Sequence, residues 1–505
     1  MNKIKKYEMP MLISIFLLVF IALISVSYAY FKARINNIES ASTIAFTSGE
    51  MTINYENNSA VLTGTNIIPG WSTTKKFTLK GKNDSKPTDT QPDNNMYYKI
   101  GIAVDINTFT QDAITYKLEK DSTSSTNGKM ADATYGIVPQ TGTKYIGKGY
   151  FATTSTYVNH IYKLTISFPD NGENQSYDND KKFAAHVVIE KSTSSEDINV
   201  TITPKITDYI TKLYNMDASD NGLEQDDTID KNIRYVGASP KNYLNFNNET
   251  WRIIGVFNDI TTIDEQGNEK KESLVKIVRD KSLGTYSWDS SSSSVNNGFG
   301  VNEWSQANLM TELNTDYIDT SKASGTTNWD NGQGNAKTKP YDYSNNIKSG
   351  EIDKIAKASW NTNRNKTGSG ALDSYNQERS TNLISTPSDN VPRTNTWDGK
   401  VALIYSSDYG YASTNESCRD NMNSKTNDIY NCTNDNWLYK EDSYYYWTLS
   451  PYSGDSAGVF HVNGVGSVSY GHAYGTGGVF PAVFLKSDIL ITSGTGEKSN
   501  SYRLG

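Results

Sequence analysis

The sequence predicts an N-terminal signal or anchor helix, an all-β sandwich and a C-terminal α+β domain. Three observations lead to this fold class: an uncharged run of 23 residues from Met9 to Phe31, apolar residues that alternate at period two between residues 51 and 202, and short strands mixed with a few helices after residue 229. The 505 residues are too many for one compact domain. We assign residues 1–39 to the signal peptide or transmembrane anchor, 40–208 to the sandwich, 209–228 to an acidic linker and 229–505 to the α+β domain.

The N-terminal segment predicts where the protein resides. At about 1.5 Å per helical residue, the uncharged run is long enough to cross the hydrocarbon core of a bilayer. Lys3, Lys5 and Lys6 precede it, and such a basic flank stays in the cytoplasm while the rest of the chain is exported. Ser27 and Ala29 are small residues at the positions that signal peptidase needs, so cleavage after Ala29 and a retained single-pass anchor both remain open. In either case the body of the protein is predicted to be extracellular, at the cell surface.

The first folded region predicts antiparallel strands. Alternating apolar residues bury one face of each strand, and Pro69-Gly70 and the polar stretch 81–95 are typical of the turns and loops between strands. The clearest alternating runs are Met51-Ile53-Tyr55, Tyr98-Ile100-Ile102-Val104-Ile106 and Tyr162-Leu164-Ile166-Phe168. Strands of this length and spacing predict a β-sandwich.

A few residues of this region also resemble a known family. Ser27-Tyr28-Ala29-Tyr30-Phe31, then Ile68-Pro69-Gly70-Trp71 and the Lys-Phe-Thr-Leu strand at 76–79, resemble the camelysin and biofilm-fibre family of Gram-positive bacteria. The resemblance implies a secreted sandwich protein with a dedicated type of signal peptide.

The acidic stretch from Asp217 to Asp230 invites comparison with a calcium-binding loop. Asn221-Gly222 lies where such a loop turns, but its twelfth position is Thr228 instead of a bidentate glutamate, so an EF-hand is rejected. A solvated linker between domains is favoured over a cation site.

The C-terminal region predicts mixed secondary structure. Trp251–Phe257 reads as a strand with Leu274–Val278 as its partner. Leu309, Met310 and Leu313 have helical spacing, and so does the set Ile352, Ile355, Ala356 and Trp360. The polar stretches 323–350 and 361–397 are predicted to be surface loops. Strands mixed with a few helices predict an α+β domain.

Several motifs of this region resemble one module. They are Arg234–Ala238, Trp251–Val256, Asn302–Ser305, Ser407–Ala412, Trp447–Pro451 and Pro481–Ser487. In this order they resemble the C-terminal module of surface proteins of gut Firmicutes, which has a C-type-lectin-like fold and includes the formylglycine-generating-enzyme branch. That branch acts through paired cysteines in a terminal strand, and neither Cys418 nor Cys432 matches, so the resemblance carries no catalysis and the protein is predicted not to be an enzyme.

Residues 460–480 form the candidate recognition segment. Short side chains alternate there with tyrosine and histidine, which give an adaptable contact surface at small entropic cost. The segment resembles the variable region of C-type-lectin-fold proteins diversified by retroelements, in which adenine mutagenesis rewrites asparagine codons. An ordinary Gly/Ser-rich hairpin remains an open alternative. The residues predicted to bind ligand are His461, Asn463, Val465, Ser467, Ser469, Tyr470, His472, Tyr474, Thr476 and Phe480, over a buried scaffold of Phe460, Val462 and Val468.

The cysteines, the histidines and the polar cluster at 434–437 are predicted to have structural roles. Cys418 and Cys432 are 432 − 418 = 14 positions apart in an oxidising compartment, so we expect a disulfide between them. The four histidines form no constellation with a nucleophile and a carboxylate, and Asn434-Asp435-Asn436-Trp437 reads as loop polarity, so no catalytic residue, metal site or cofactor is predicted.

Together these features predict a cell-surface adhesion or recognition protein. Its expected partner is a cell-surface, glycan or protein ligand, with membrane contact through the N-terminal helix if that helix is retained. The net charge of −8 and pI of 5.3 argue against nucleic acid. The alternative is a structural subunit of an extracellular fibre or biofilm matrix.

Overall fold

The computed structural model divides the chain into two compact units, with the boundary in the sequence between Thr203 and Pro204. It describes residues 43–505 apart from 47–48, 56–59, 65–66, 84–94, 111, 197, 199–200, 291–297, 334–335, 383–388, 390, 423–432 and 442–444. The predicted signal or anchor segment lies outside the described residues. Within the described ranges, no helix combines the length and the apolar character that crossing a bilayer requires.

The first unit consists of two antiparallel sheets, as the alternating runs predict. Its strands are β1 (Thr43–Phe46), β2 (Gly49–Tyr55), β3 (Val61–Thr63), β4 (Trp71–Asn83), β5 (Met96–Asn107), β6 (Thr115–Lys120), β7 (Thr134–Ile137), β8 (Gly142–Phe151), β9 (Thr154–Phe168), β10 (Phe183–Lys191) and β11 (Thr201–Ile202). One sheet has the order β1-β2-β4-β9-β6-β7 and the other β11-β8-β5-β10-β3. Their apolar faces share one core, so the predicted sandwich is confirmed.

A hydrogen-bonded chain of polar groups crosses this core. The Tyr98 hydroxyl lies 2.6 Å from both His160 Nδ1 and the Tyr162 hydroxyl. The Ala131 N–H donates to the Tyr162 oxygen over 2.8 Å, and His160 Nε2 lies 2.7 Å from the carbonyl oxygen of Asn127. His160 and both tyrosines are fully buried, so these bonds replace the ones that water would make.

The second unit contains the remaining strands and five helices of the described residues. The strands are β12 (Leu223–Gln225), β13 (Ile233–Tyr235), β14 (Tyr243–Phe246), β15 (Glu249–Ile263), β16 (Glu269–Arg279), β17 (Thr285–Ser287), β18 (Thr326–Gln333), β19 (Ala336–Asp342), β20 (Ala358–Asn361), β21 (Thr396–Gly399), β22 (Val401–Ala402), β23 (Tyr445–Pro451), β24 (Gly458–Asn463), β25 (Val468–His472), β26 (Thr476–Gly478), β27 (Ala482–Phe484), β28 (Ile491–Ser493) and β29 (Tyr502–Leu504). The helices are α1 (Ile206–Asn221), α2 (Asn308–Asn314), α3 (Ala371–Glu378), α4 (Ser406–Tyr411) and α5 (Glu416–Asp420). This is an α+β arrangement, as predicted.

Two sheets organise this unit. The larger runs β22-β27-β16-β15-β14-β29-β28, with β13 and β20 also paired to β15. The smaller runs β17-β26-β23-β24-β25, which makes β25 an edge strand. The predicted pairing of Trp251–Phe257 with Leu274–Val278 is confirmed in β15 and β16, where Val256 lies opposite Val275.

The predicted acidic linker is wrong, and so are the boundaries at 208 and 229. Residues 206–221 form helix α1 because Ile206, Ile210 and Leu213 share one side of the helix and are buried in the core of the second unit. The acidic residues that follow this helix form hydrogen bonds within the second unit. Asp227 accepts a hydrogen bond from the Tyr411 hydroxyl, and Asp230 accepts one from Tyr375.

Two other predictions of local structure are also corrected. The spacing of Ile352 to Trp360 predicts one helix, but the chain forms a single 3-10 turn at Ile352–Lys354 and then strand β20. The stretch 323–350, predicted as loop, contains the β18–β19 hairpin, whose Trp329 and Tyr341 rings stack at 3.9 Å between centroids and are buried. Helix α3 likewise interrupts the second predicted loop. The helix predicted at Leu309 is confirmed as α2.

A buried charge network joins three elements of the second unit. It consists of Asp226, Arg234 in β13, Lys276 in β16 and Asp408 in α4. Arg234 Nε binds Asp226 Oδ2 at 2.7 Å, Arg234 Nη1 binds Asp408 Oδ1 at 3.0 Å, and Lys276 Nζ binds Asp408 Oδ2 at 2.5 Å. All four side chains are at most 2% exposed, and their charges sum to zero. Arg234 and Asp408 belong to two of the motifs that resemble the C-terminal module. These two motifs therefore contribute to the buried framework of the second unit.

Candidate functional site

The candidate recognition residues lie mainly on the β24–β25 hairpin. In its register Phe460 faces Tyr470, His461 faces Ser469, and Val462 faces Val468. Side chains alternate along a strand, so Tyr470 shares a face with Phe460 while His461 and Ser469 lie on the opposite face. The residues predicted as one surface therefore divide between the two faces of the smaller sheet. Phe460, Val462 and Val468 are buried, as predicted.

Tyr470 is the centre of a group of exposed and half-buried rings, which we call the aromatic surface and define as Phe299, Tyr452, Tyr470, His472 and Tyr474. The Tyr470 side chain is 44% exposed, and its ring stacks on Tyr452 at 4.1 Å between centroids with 27° between planes. This stacking fixes the orientation of both rings before any ligand arrives, and such fixed rings lose little conformational entropy when they bind.

The second half of the aromatic surface lies beside the carboxylate of Asp455. The His472 ring lies 4.4 Å from that of Phe299, and Phe299 lies 5.3 Å from Tyr474. His472 Nε2 is 3.3 Å from Asp455 Oδ2, and both side chains are about a third exposed, at 38% and 32%. Flat rings, hydroxyl tips and a carboxylate can together stack against a ligand and hydrogen-bond to it.

Two members of the aromatic surface were missed by sequence reasoning. Phe299 precedes the hairpin by more than 150 positions and follows a serine-rich stretch, while Tyr452 follows the Trp447–Pro451 motif. Neither has a local signal, because only the tertiary fold brings these rings to β25. Asp455 was missed for the same reason.

On the opposite face, His461 is half-buried among side chains of the sheet. Its Nε2 lies 2.9 Å from the Ser469 hydroxyl, and its ring lies 4.9 Å from Tyr445 and 5.8 Å from Trp447. Burial lowers the pKa of His461 to about 4, so the imidazole is neutral at physiological pH. Its Nδ1 has no hydrogen-bond partner among the described residues. His461 therefore packs in the sheet and does not join Tyr470.

A second group of the predicted binding residues lies in or near the turn of this hairpin. The Asn463 side-chain oxygen accepts the N–H groups of Val465, at 3.1 Å, and Ser467, at 3.0 Å, which closes the turn. Val465 is exposed at its tip. Thr476 lies half-buried in β26 opposite Ser287.

Two predicted binding residues are buried and are corrected. Ser467 is 5% exposed, and its hydroxyl faces the carbonyl oxygen of Met422 at 3.4 Å. Phe480 is also 5% exposed, because its ring packs edge-on against Tyr446 at 5.2 Å. Both side chains belong to the support beneath the surface.

The polar cluster at 434–437 has a structural role. Asn436 Nδ2 donates to the carbonyl oxygen of Tyr409 at 2.8 Å, and Trp437 Nε1 donates to that of Tyr235 at 2.7 Å. Both residues are buried. In the part of the chain that the structure describes, no group of three or more His, Cys, Asp or Glu side chains could hold a metal ion.

Cys418 in helix α5 is disulfide-bonded. The only other cysteine in the sequence is Cys432, the predicted partner, which lies outside the described residues.

Neither the protein-family models, nor the characterised proteins, nor the solved structures gave a match to this chain.

Proposed function

We propose that this protein is an extracellular recognition protein that binds its ligand non-covalently through the aromatic surface of the second unit. The observation that carries the proposal is the pre-stacked pair of Tyr452 and Tyr470, which stays accessible beside His472 and Asp455. Exposed tyrosines on a rigid support are typical of binding hot spots, since they bury a large area at small entropic cost.

The proposed extracellular location has two supports. The lysines before the uncharged N-terminal run favour export of the rest of the chain. The disulfide at Cys418 favours an oxidising compartment.

We also propose a C-type-lectin-like fold for the second unit. The support is that the motifs behind the resemblance occupy its buried framework. Arg234 and Asp408 lie in the charge network, and Trp251, Trp304 and Trp447 are almost completely buried.

The aromatic surface is tested by removing its rings. Tyr470→Ala combined with Phe299→Ala should weaken binding to a glycan array or to whole cells by at least about tenfold, because each ring exposes more than a third of its area to a ligand. Binding is measured on the array and by flow cytometry. The folded state should be retained, because neither ring is fully buried.

Tyr135→Ala is the matched control. Tyr135 is a tyrosine of the first unit with 87% of its side chain exposed, so its loss should leave this binding unchanged. Unaltered binding by the folded double variant would place recognition elsewhere on the protein.

A fibre role has one supporting observation. Strand β7 is an edge strand of the first unit and exposes Tyr135 and Ile137, and such edges invite pairing with another chain. If the protein polymerises through this edge, Tyr135→Ala should shorten the fibres seen by electron microscopy. Fibres of normal length would exclude this edge as the contact.

A further inference from the structure

Lys276 lies in an unusually closed environment. Its side chain is 0% exposed, and its Nζ lies 4.1 Å from the ring centre of Tyr405, 5.1 Å from that of Trp360 and 5.6 Å from that of Phe257. Water is excluded by these rings, and a charged amine is costly to keep in such a place.

The hydrogen bonds of Lys276 are too few for an ammonium group. An ammonium has three N–H donors, but Asp408 Oδ2, at 2.5 Å, is the one hydrogen-bond acceptor that the described residues offer to Lys276 Nζ. Burial lowers the pKa of Lys276 to about 8, against the opposing charge of Asp408. Both observations make the neutral amine easier to reach from the ion pair than it is in an exposed lysine.

The carboxyl group of Asp408 is held rigidly on both oxygens. Arg234 Nη1 donates to Oδ1 over 3.0 Å. The backbone N–H of Tyr405 donates to Oδ2 over 3.0 Å, so Oδ2 is shared between this N–H and Lys276. The amine and the carboxyl group are therefore fixed against each other at one end of helix α4.

We propose that Lys276 and Asp408 condense into an intramolecular amide bond, which cross-links strand β16 to helix α4. Lys276 transfers a proton to Oδ2, and the Nζ lone pair then attacks Cγ of Asp408. Arg234 stabilises the negative charge that develops on Oδ1. Oδ2 leaves with two protons from the amine as one water molecule, and the product is a neutral amide, so no oxidant or other reactant is consumed.

Two physical effects favour the product. Groups held together in this way react with effective concentrations of roughly 10⁵–10⁸ M, which overcomes the dilution that opposes amide formation in water. Condensation also removes two buried opposite charges, while Asp226 continues to neutralise Arg234 at 2.7 Å.

Peptide mass spectrometry of the full chain tests the bond. After denaturation, reduction and trypsin digestion, residues 272–279 should be recovered joined to residues 401–419, with the mass of one water missing and no cleavage after Lys276. In Lys276→Arg the same digest should give residues 401–419 as a linear peptide.

Lys440 and Asp280 provide an internal control. Their ion pair is 2.9 Å long but both side chains are partly exposed, at 15% and 26%, so trypsin should cleave after Lys440 and no joined peptide should contain it. Recovery of the wild-type residues 272–276 and 401–419 as separate linear peptides would overturn the proposal and leave Lys276–Asp408 as an ion pair.

Discussion

At the scale of single residues, His160 shows how the sandwich keeps an imidazole neutral. The carbonyl oxygen of Asn127 can only accept, so Nε2 of His160 carries the proton and Nδ1 accepts from the Tyr98 hydroxyl. Tyr98 then accepts from Tyr162, which accepts from the N–H of Ala131. This series of hydrogen bonds is complete when the His160 ring is neutral. Burial accordingly lowers the pKa of His160.

This arrangement makes stability depend on pH. The unfolded histidine has a pKa of about 6.5, and the folded one is lower, so below about pH 6.5 the unfolded state binds more protons and the free energy of unfolding falls. We expect a loss of up to about 1.4 kcal/mol per pH unit in urea unfolding. His160→Gln should show a smaller loss over the same range. Equal pH profiles for the two proteins would contradict this account.

At the scale of secondary structure elements, helix α1 depends on how it ends. Gly222 follows its last residue at φ 68° and ψ 44°, and its N–H reaches the carbonyl oxygens of Ala218 and Ser219. A Cβ at this position would also lie 2.8 Å from Cβ of Pro240 and 2.9 Å from the carbonyl oxygen of Val236. The turn therefore needs glycine for its conformation and for its space.

Gly222→Ala should lower the free energy of unfolding by more than about 1 kcal/mol, because backbone strain and steric contact add. Gly350→Ala separates the two effects, since Gly350 has φ 85° but nothing within 4 Å of its added Cβ. Urea unfolding should show a larger loss for Gly222→Ala. Equal losses would mean that the contacts with Pro240 and Val236 relax.

The same elements show what sequence patterns could predict. Strand β9 was visible because one face is buried and the alternation is regular. Strand β5 was visible because its large apolar residues alternate in the sequence, although both of its faces are buried from Ile100 to Asn107. Helix α1 was missed because its acidic residues obscure the spacing of Ile206 and Ile210, and because Lys205 gives no side-chain cap. Trp360 was misplaced because short apolar segments can match a helical spacing by coincidence.

The candidate site was predicted only in part, for a different reason. Tyr470 and His472 stand out in the local sequence, whereas Phe299, Tyr452 and Asp455 reach them through tertiary contacts. The Lys276–Asp408 pair is separated by 132 positions, so no local pattern could indicate it.

At the scale of the whole molecule, the two units have separate hydrophobic cores. The division at Pro204 assigns helix α1 to the second unit, where Ile206 and Ile210 are completely buried. A unit with its own core is expected to fold alone only if all of that core is present.

Fragments of the chain test this boundary. Residues 204–505 should be soluble and unfold in one cooperative thermal transition. Residues 229–505 lack helix α1 and also Asp226, which leaves Arg234 without one of its two carboxylates, so this fragment should aggregate or melt without cooperativity. A cooperative transition for 229–505 at the same temperature would show that α1 is dispensable.

The pairing of β24 with β25 has a consequence for how such a hairpin can change over generations. Replacing one side chain by another leaves the pairing intact. A single-residue insertion or deletion in the turn would exchange the two faces, so that Ser469 would move beneath Tyr452 and Tyr470 would turn toward Trp447. Descendants of this sequence should therefore differ in residue identity within the hairpin while its length stays constant.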